Sequence, residues 1–140
     1  MIKITYRELS ALREMPGHPG PLSRLGGTTT LDSFASRWLV SRFLKVIVEA
    51  IQEYEKSLLA LGQTYGEVIP NKPDAFTIKP ENLKIFNEER AKLESIEVEV
   101  NVLPLPMAVV EQIALTPFDV NALEKFIALP AAPPVLTSVP

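Results

Sequence analysis

The chain has 140 residues, a net charge of −3, 46% hydrophobic residues and 22% charged ones, which suits a single domain with one modest core. It holds no cysteine and one histidine, His18, which excludes disulfides, thiol chemistry and histidine-pair metal sites within one chain. The acidic balance argues against a dedicated nucleic-acid binder, and no apolar run approaches the length of a bilayer span. The first residues lack the apolar core of a secretion signal, so synthesis in the cytoplasm is expected. Residues 1–45 carry seven Lys/Arg against three acids, and 46–140 carry seven against fourteen. This asymmetry reads as ordinary surface charge in preference to head-to-tail stacking of copies.

Thr5 with Glu8 three residues on makes a capping box, and Leu9 and Leu12 follow at helical spacing, so a first helix is predicted over about 5–15. The density of Pro and Gly from Pro16 to Pro21 and at Gly26-Gly27 predicts a loop over 16–30 with no regular element. From 32 to about 65 a long helix is predicted, capped by Asp32 or Ser33. Val40, Leu44, Ile47, Ile51, Tyr54, Leu58, Leu61 and Tyr65 recur at alternating steps of 4 and 3, an unbroken heptad stripe. Such a helix outruns the interior of a small globule, so the stripe is expected to form a helix–helix seam. Phe34, Trp38, Leu39, Phe43, Val46, Val48 and Ala50 widen the apolar face of its first half, and Phe34, Trp38 and Phe43 read as core or interface.

Val68-Ile69 and Phe76-Thr77-Ile78 flank a Pro/Asn/Asp turn and predict a small β-hairpin. Pro80 opens a second helix, about 80–94, with Leu83, Phe86, Arg90 and Leu93 on one side, returning antiparallel along the first. Ile96 to Val102 alternates β-branched and polar residues, a half-buried strand that must pair with Ile2–Ile4, with the hairpin, or with another chain. Its Val98 and Val100 should be buried and its glutamates outside. A short helix is predicted over 107–115. Thr116, Pro117 and Asp119 supply N-cap, N1 and N3 of a last helix with Leu123, Phe126 and Ile127 inward. The fold class is therefore mainly α: a long helical hairpin, a small β element, a C-terminal helix, and one domain over 1–128. Residues 129–140 hold four prolines and no charge, which favours an extended arm whose Leu129, Val135, Leu136 and Val139 dock on another subunit or protein.

No residue pattern supports catalysis. Glu97 and Glu99 could together bind a hard cation, but read better as the solvent side of a strand. Glu88-Glu89 reads as a solvated helix face. His18 lies between Gly17 and Pro19 with no carboxylate nearby, the serines lack a base or an elbow motif, and Gly26-Gly27-Thr28-Thr29-Thr30 lacks the lysine and spacing of a phosphate loop. No catalytic, metal or cofactor residue is assigned. The assigned interface residues are the eight of the stripe and the four of the arm.

The order of several short motifs resembles a family of small helical proteins encoded by tailed bacteriophages. They are Lys3-Ile4-Thr5, Tyr65-Gly66-Glu67, Pro80-Glu81-Asn82, Phe86-Asn87-Glu88-Glu89, Glu97-Val98-Glu99-Val100 and Leu123-Glu124-Lys125-Phe126-Ile127, spread over about 1–127. The loop at 16–30 and the 129–140 segment look additional to that pattern. The resemblance implies a non-enzymatic structural or assembly protein of the virion, in head, neck or tail, made in the host cytoplasm. Its partners would be copies of itself and other virion proteins, with no nucleic acid, membrane, small-molecule substrate or cofactor. The alternative is a small helical inhibitor or adaptor that binds a host protein.

Overall fold

The computed structural model describes residues 2–14, 19–27 and 31–128. The assigned arm residues Leu129, Val135, Leu136 and Val139 lie outside the described residues, as does His18. The chain is mainly helical. Strand β1 (Ile2–Thr5) leads into helix α1 (Tyr6–Ser10), then α2 (Pro21–Gly27) and the long α3 (Phe34–Tyr65). A hairpin of β2 (Gly66–Ile69) and β3 (Lys72–Ile78) and a 3-10 turn at Pro80–Asn82 precede α4 (Leu83–Glu94). Then come β4 (Glu97–Val100), β5 (Leu105–Pro106), α5 (Met107–Val110), α6 (Pro117–Ala122), a 3-10 turn at Glu124–Phe126 and β6 (Ile127–Ala128).

The Thr5 capping box forms as its spacing demands. Thr5 Oγ1 accepts from the Glu8 N–H at 3.2 Å, and Glu8 Oε1 accepts from the Thr5 N–H at 3.1 Å. Lys125 Nζ also donates to Glu8, at 2.8 Å. Burial opposes ionisation of Glu8, yet the hydrogen bonds from Lys125 and Thr5 outweigh it and hold the carboxyl below its ordinary value. The helix itself is shorter than predicted. After Ser10 the ladder tightens, with the Leu12 N–H donating to the Leu9 carbonyl and Arg13 N–H to that of Ser10. Leu9 and Leu12 are nonetheless both fully buried.

Helix α2 corrects the expectation of a structureless loop over 16–30. Pro21 occupies its first position, where a missing N–H costs nothing and a fixed φ suits the helix. Leu25 reaches the core, and the Ser23 N–H donates to the Glu14 carboxylate at 2.7 Å. That cap comes from nine residues upstream, where local pattern has no access to it.

Ser33, not Asp32, caps α3, its hydroxyl accepting from the Ser36 N–H at 3.1 Å. The helix has 32 residues, about 48 Å at 1.5 Å per residue. Helix α4 runs antiparallel to its second half: Asn82 Nδ2 donates to the Tyr65 carbonyl at 3.0 Å at one end, and the Tyr54 hydroxyl lies 3.3 Å from Glu94 at the other. With 12 residues, about 18 Å, α4 is too short to follow α3 further. The expected seam along the whole stripe is therefore corrected. Val40, Ile47 and Ile51, with half-buried Leu44, enter a main core with Leu9, Leu25, Val100, Leu105, Leu123 and Phe126. Tyr54 and Leu58 join Phe86 in a second cluster, flanked by half-buried Leu61, Tyr65 and Phe76.

The hairpin closes on Pro70-Asn71. Asn71 has φ 67°, a left-handed position that asparagine tolerates after a proline. Its β3 strand presses Phe76 onto α3 at Gly62, where an added Cβ would lie 2.2 Å from Phe76 Cδ1 and 2.3 Å from Cγ. The ring cannot simply swing aside, because it stacks edge-on against Phe86 at 5.7 Å. Gly62→Ala, which would favour an isolated helix by about 1 kcal/mol, is therefore expected to destabilise the protein, by about 1–3 kcal/mol for overpacking. Chemical denaturation of both proteins reads the sign directly.

Strand β4 pairs antiparallel with β1, in the register Ile2↔Val100 and Ile4↔Val98, one of the three partners the sequence left open. Val100 is buried, Val98 half-buried, and Glu97 and Glu99 are exposed. Pairing stops at Val100, two residues short of the predicted strand, and Ile96 is 48% exposed. Pro104 and Pro106 do not end the β structure entirely, because β5 pairs in parallel with β6, Leu105 against Ile127 and Pro106 against Ala128. Residues 107–115 hold only one turn of helix. Leu123, Phe126 and Ile127 are all buried, but the predicted last helix ends at Ala122 and they follow it, Phe126 in the 3-10 turn and Ile127 in β6, with Phe126 edge-on to Phe43 at 5.3 Å.

Candidate interaction surface

All eight stripe residues are covered by the chain's own elements, fully or in part. The spacing correctly marked an inward face, but that face is occupied within one molecule. As an interface between chains the stripe has little left to offer. Tyr54 shows how fully it is used. The residue has no exposed surface, its ring lies 5.4 Å from that of Tyr6, and the Arg13 guanidinium sits 5.3 Å from its centroid. Burial and the Glu94 carboxylate push the phenol above its ordinary value of 10.0. Because the folded state holds this proton more tightly than the unfolded state, its stabilisation is complete below pH 10 and is lost as pH rises further. Tyr54→Phe is expected to flatten the alkaline decline in stability, read from urea midpoints between neutral pH and about pH 11.

Among the described residues an apolar surface stays open on the other side of α3. Phe34 is 73% exposed and Trp38, one turn on, 51%. Of the three aromatics that widened the helix face, only Phe43 entered the core. Beside Trp38 the segment after β4 brings up Leu103, 70% exposed, which no local pattern marks beyond its place before Pro104. Trp38, Leu39, Arg42, Val46, Asn101 and Leu103 line a groove of about 190 Å³. That is below the usual range for a drug-sized ligand, so the shape suits inserted side chains of a protein partner. The Arg42 guanidinium lies 5.9 Å from the Trp38 ring centroid and has no ion pair among the described residues.

Past Val46 and Asn101 the groove continues between α3 and β4, where Glu49, Glu53 and Glu99 line it. One end is thus aromatic and cationic, the other acidic. The Tyr6 N–H bonds to the Ile96 carbonyl at 3.0 Å, so Ile96, Val98 and Val100 turn their backbone groups toward β1 and those of Glu97 and Glu99 face outward. β4 has no second strand partner among the described residues. Its charged side chains guard that edge against unspecific strand addition. Among the described residues no three His, Cys, Asp or Glu side chains cluster as a metal site would require, and no helix is long and apolar enough to cross a membrane. Glu97 and Glu99 stand on the solvent face of β4, and Glu88 is exposed with Glu89 half-buried on α4.

A second polar feature was not foreseen. Asp119, 2% exposed, accepts from the Thr116 N–H at 2.9 Å as the N3 member of a capping box and takes Arg24 Nη1 at 2.6 and 2.7 Å on its two oxygens. The capping role is legible in Thr116–Asp119; the ion pair, which ties α2 to α6, is not, because Pro/Gly density predicts a loop where α2 forms. No protein-family model, no curated protein and no solved structure matches this chain.

Proposed function

We propose that this chain is a non-enzymatic structural or assembly protein of a tailed-bacteriophage virion, acting through protein–protein contacts. The order of short motifs along 1–127 supports the phage assignment. The observation that carries the mode of action is the exposed apolar face of Phe34, Trp38 and Leu103 on a chain whose long stripe is already satisfied internally. Exposed aromatic and aliphatic side chains grouped beside a charged rim are the usual anchors of a protein interface. Mass spectrometry of purified particles of the encoding phage tests this reading. The expected result is this chain at a fixed, symmetric copy number. Its absence from particles, with recovery on a host protein in infected cells, would replace this reading with that of an inhibitor or adaptor.

A further inference from the structure

We propose that the groove at Trp38 is the docking site for the proline-rich segment 129–140 of a second copy of this chain. The inference rests on the assembly reading and gives it a contact. Segment and groove match in chemistry. The segment reads Leu129-Pro130-Ala131-Ala132-Pro133-Pro134-Val135-Leu136, uncharged and rich in proline. Such sequences favour the polyproline helix, which arrives already extended and loses little entropy on binding. Its rings and apolar side chains are recognised by grooves lined with exposed aromatics, and its carbonyls, unpaired within the segment, need donors. The groove supplies the Trp38 ring and Leu103 for the first need, and the Arg42 guanidinium and Asn101 amide for the second. The acidic end of the groove adds the carboxylates of Glu49, Glu53 and Glu99, which only accept hydrogen bonds and so do not satisfy such carbonyls.

The path of the chain favours a second copy over the same one. Strand β6 runs parallel to β5, so at Ala128 the chain is heading in the direction from Pro106 to Met107. Leu103 precedes Leu105 along the chain and so lies behind that heading. Returning to its own groove would require the segment to reverse, yet 129–140 contains no glycine and starts with a proline at its second position. Polyproline segments keep their direction over several residues. Twelve residues at 3.1 Å each extend about 37 Å, enough to reach a neighbouring molecule.

Trp38 is the chain's one tryptophan and therefore reports on its own groove. The experiment uses the full chain and measures tryptophan emission and sedimentation from dilute to concentrated solution. The parent is compared with a Val135→Asp/Leu136→Asp variant and with Trp38→Ala followed by sedimentation alone. The expected result is a blue shift of Trp38 emission that appears together with self-association as concentration rises. Both should be lost in the Asp variant, and self-association should be lost in Trp38→Ala. Blue-shifted emission in a monomer, independent of concentration and abolished by the Asp variant, would mean the segment folds back on its own groove and would overturn the proposal. Emission unchanged by concentration and by the Asp variant would also overturn it. Should self-association then persist in both variants, copies meet through another face and the assembly reading stands without this contact. Conversely, docking observed in solution with the chain absent from particles would leave this contact standing and remove the virion assignment.

Discussion

Ile47→Asp is expected to cost about 3–5 kcal/mol, the scale of an uncompensated buried charge, out of a total stability of about 5–15 kcal/mol for a domain of this kind. Ile47 has no exposed surface and belongs to the main apolar core, which gathers residues of α1, α2, β1 and β4 against α3. A carboxylate there meets only apolar neighbours, so it must either stay ionised without a partner or take up a proton. The adjacent residue is the control. Val48 is 41% exposed, and Val48→Asp should change stability by no more than about 0.5 kcal/mol. Urea titrations followed by circular dichroism check both. Equal losses at 47 and 48 would show that α3 is buried all round, and equal tolerance would show that the face assigned inward is not.

Asp119→Ala is the second large expected effect, about 2–3 kcal/mol. The substitution removes two things at once: the N3 member of the α6 capping box and the buried partner of Arg24. Complete loss of a buried pair would cost more, but the Arg24 side chain keeps 31% of its surface exposed and recovers part of its solvation when left alone. Arg24→Ala strands the carboxylate instead, which is 3% exposed and retains the Thr116 N–H as its cap partner. The two single variants and the double variant form a cycle that isolates the pair. The coupling should exceed about 1 kcal/mol, because the two groups share one site and cannot act independently. If the double variant is as costly as the sum of the singles, Arg24 and Asp119 act separately and α2 is held by Leu25 alone.

Much of the candidate surface was present in the sequence but could not be told apart from core. Phe34, Trp38 and Phe43 all fall on the widened face of one helix, and a helical wheel gives no means of deciding which of them another element will cover. Phe43 is covered because Phe126, more than eighty residues later, stands edge-on against it. Trp38 stays open because the chain after β4 passes beside it without crossing it. Leu103 joins the groove only through that passage.

Elements that depend on near neighbours follow from local pattern. The capping boxes at Thr5 and Thr116 formed as their spacing required, since both partners lie within one turn. The heptad rhythm from Val40 to Tyr65 set which face of α3 turns inward, and the alternation at 97–100 set which face of β4 does. Tertiary structure alone decided what fills those faces. The stripe is shared among several elements because α4 is only 12 residues long and cannot follow a helix of 32. Helix α2 exists because Glu14 caps it from outside and the core accepts Leu25, which outweighs the propensity of a Pro/Gly-rich stretch for irregular structure. Gly62 is required by Phe76, a residue on a different element, and Asp119 is tied to Arg24 across 95 positions. Periodicity reports that a side chain needs cover, because the pattern is local. Which residue supplies the cover is a long-range packing outcome, set when distant segments compete for the same apolar surface.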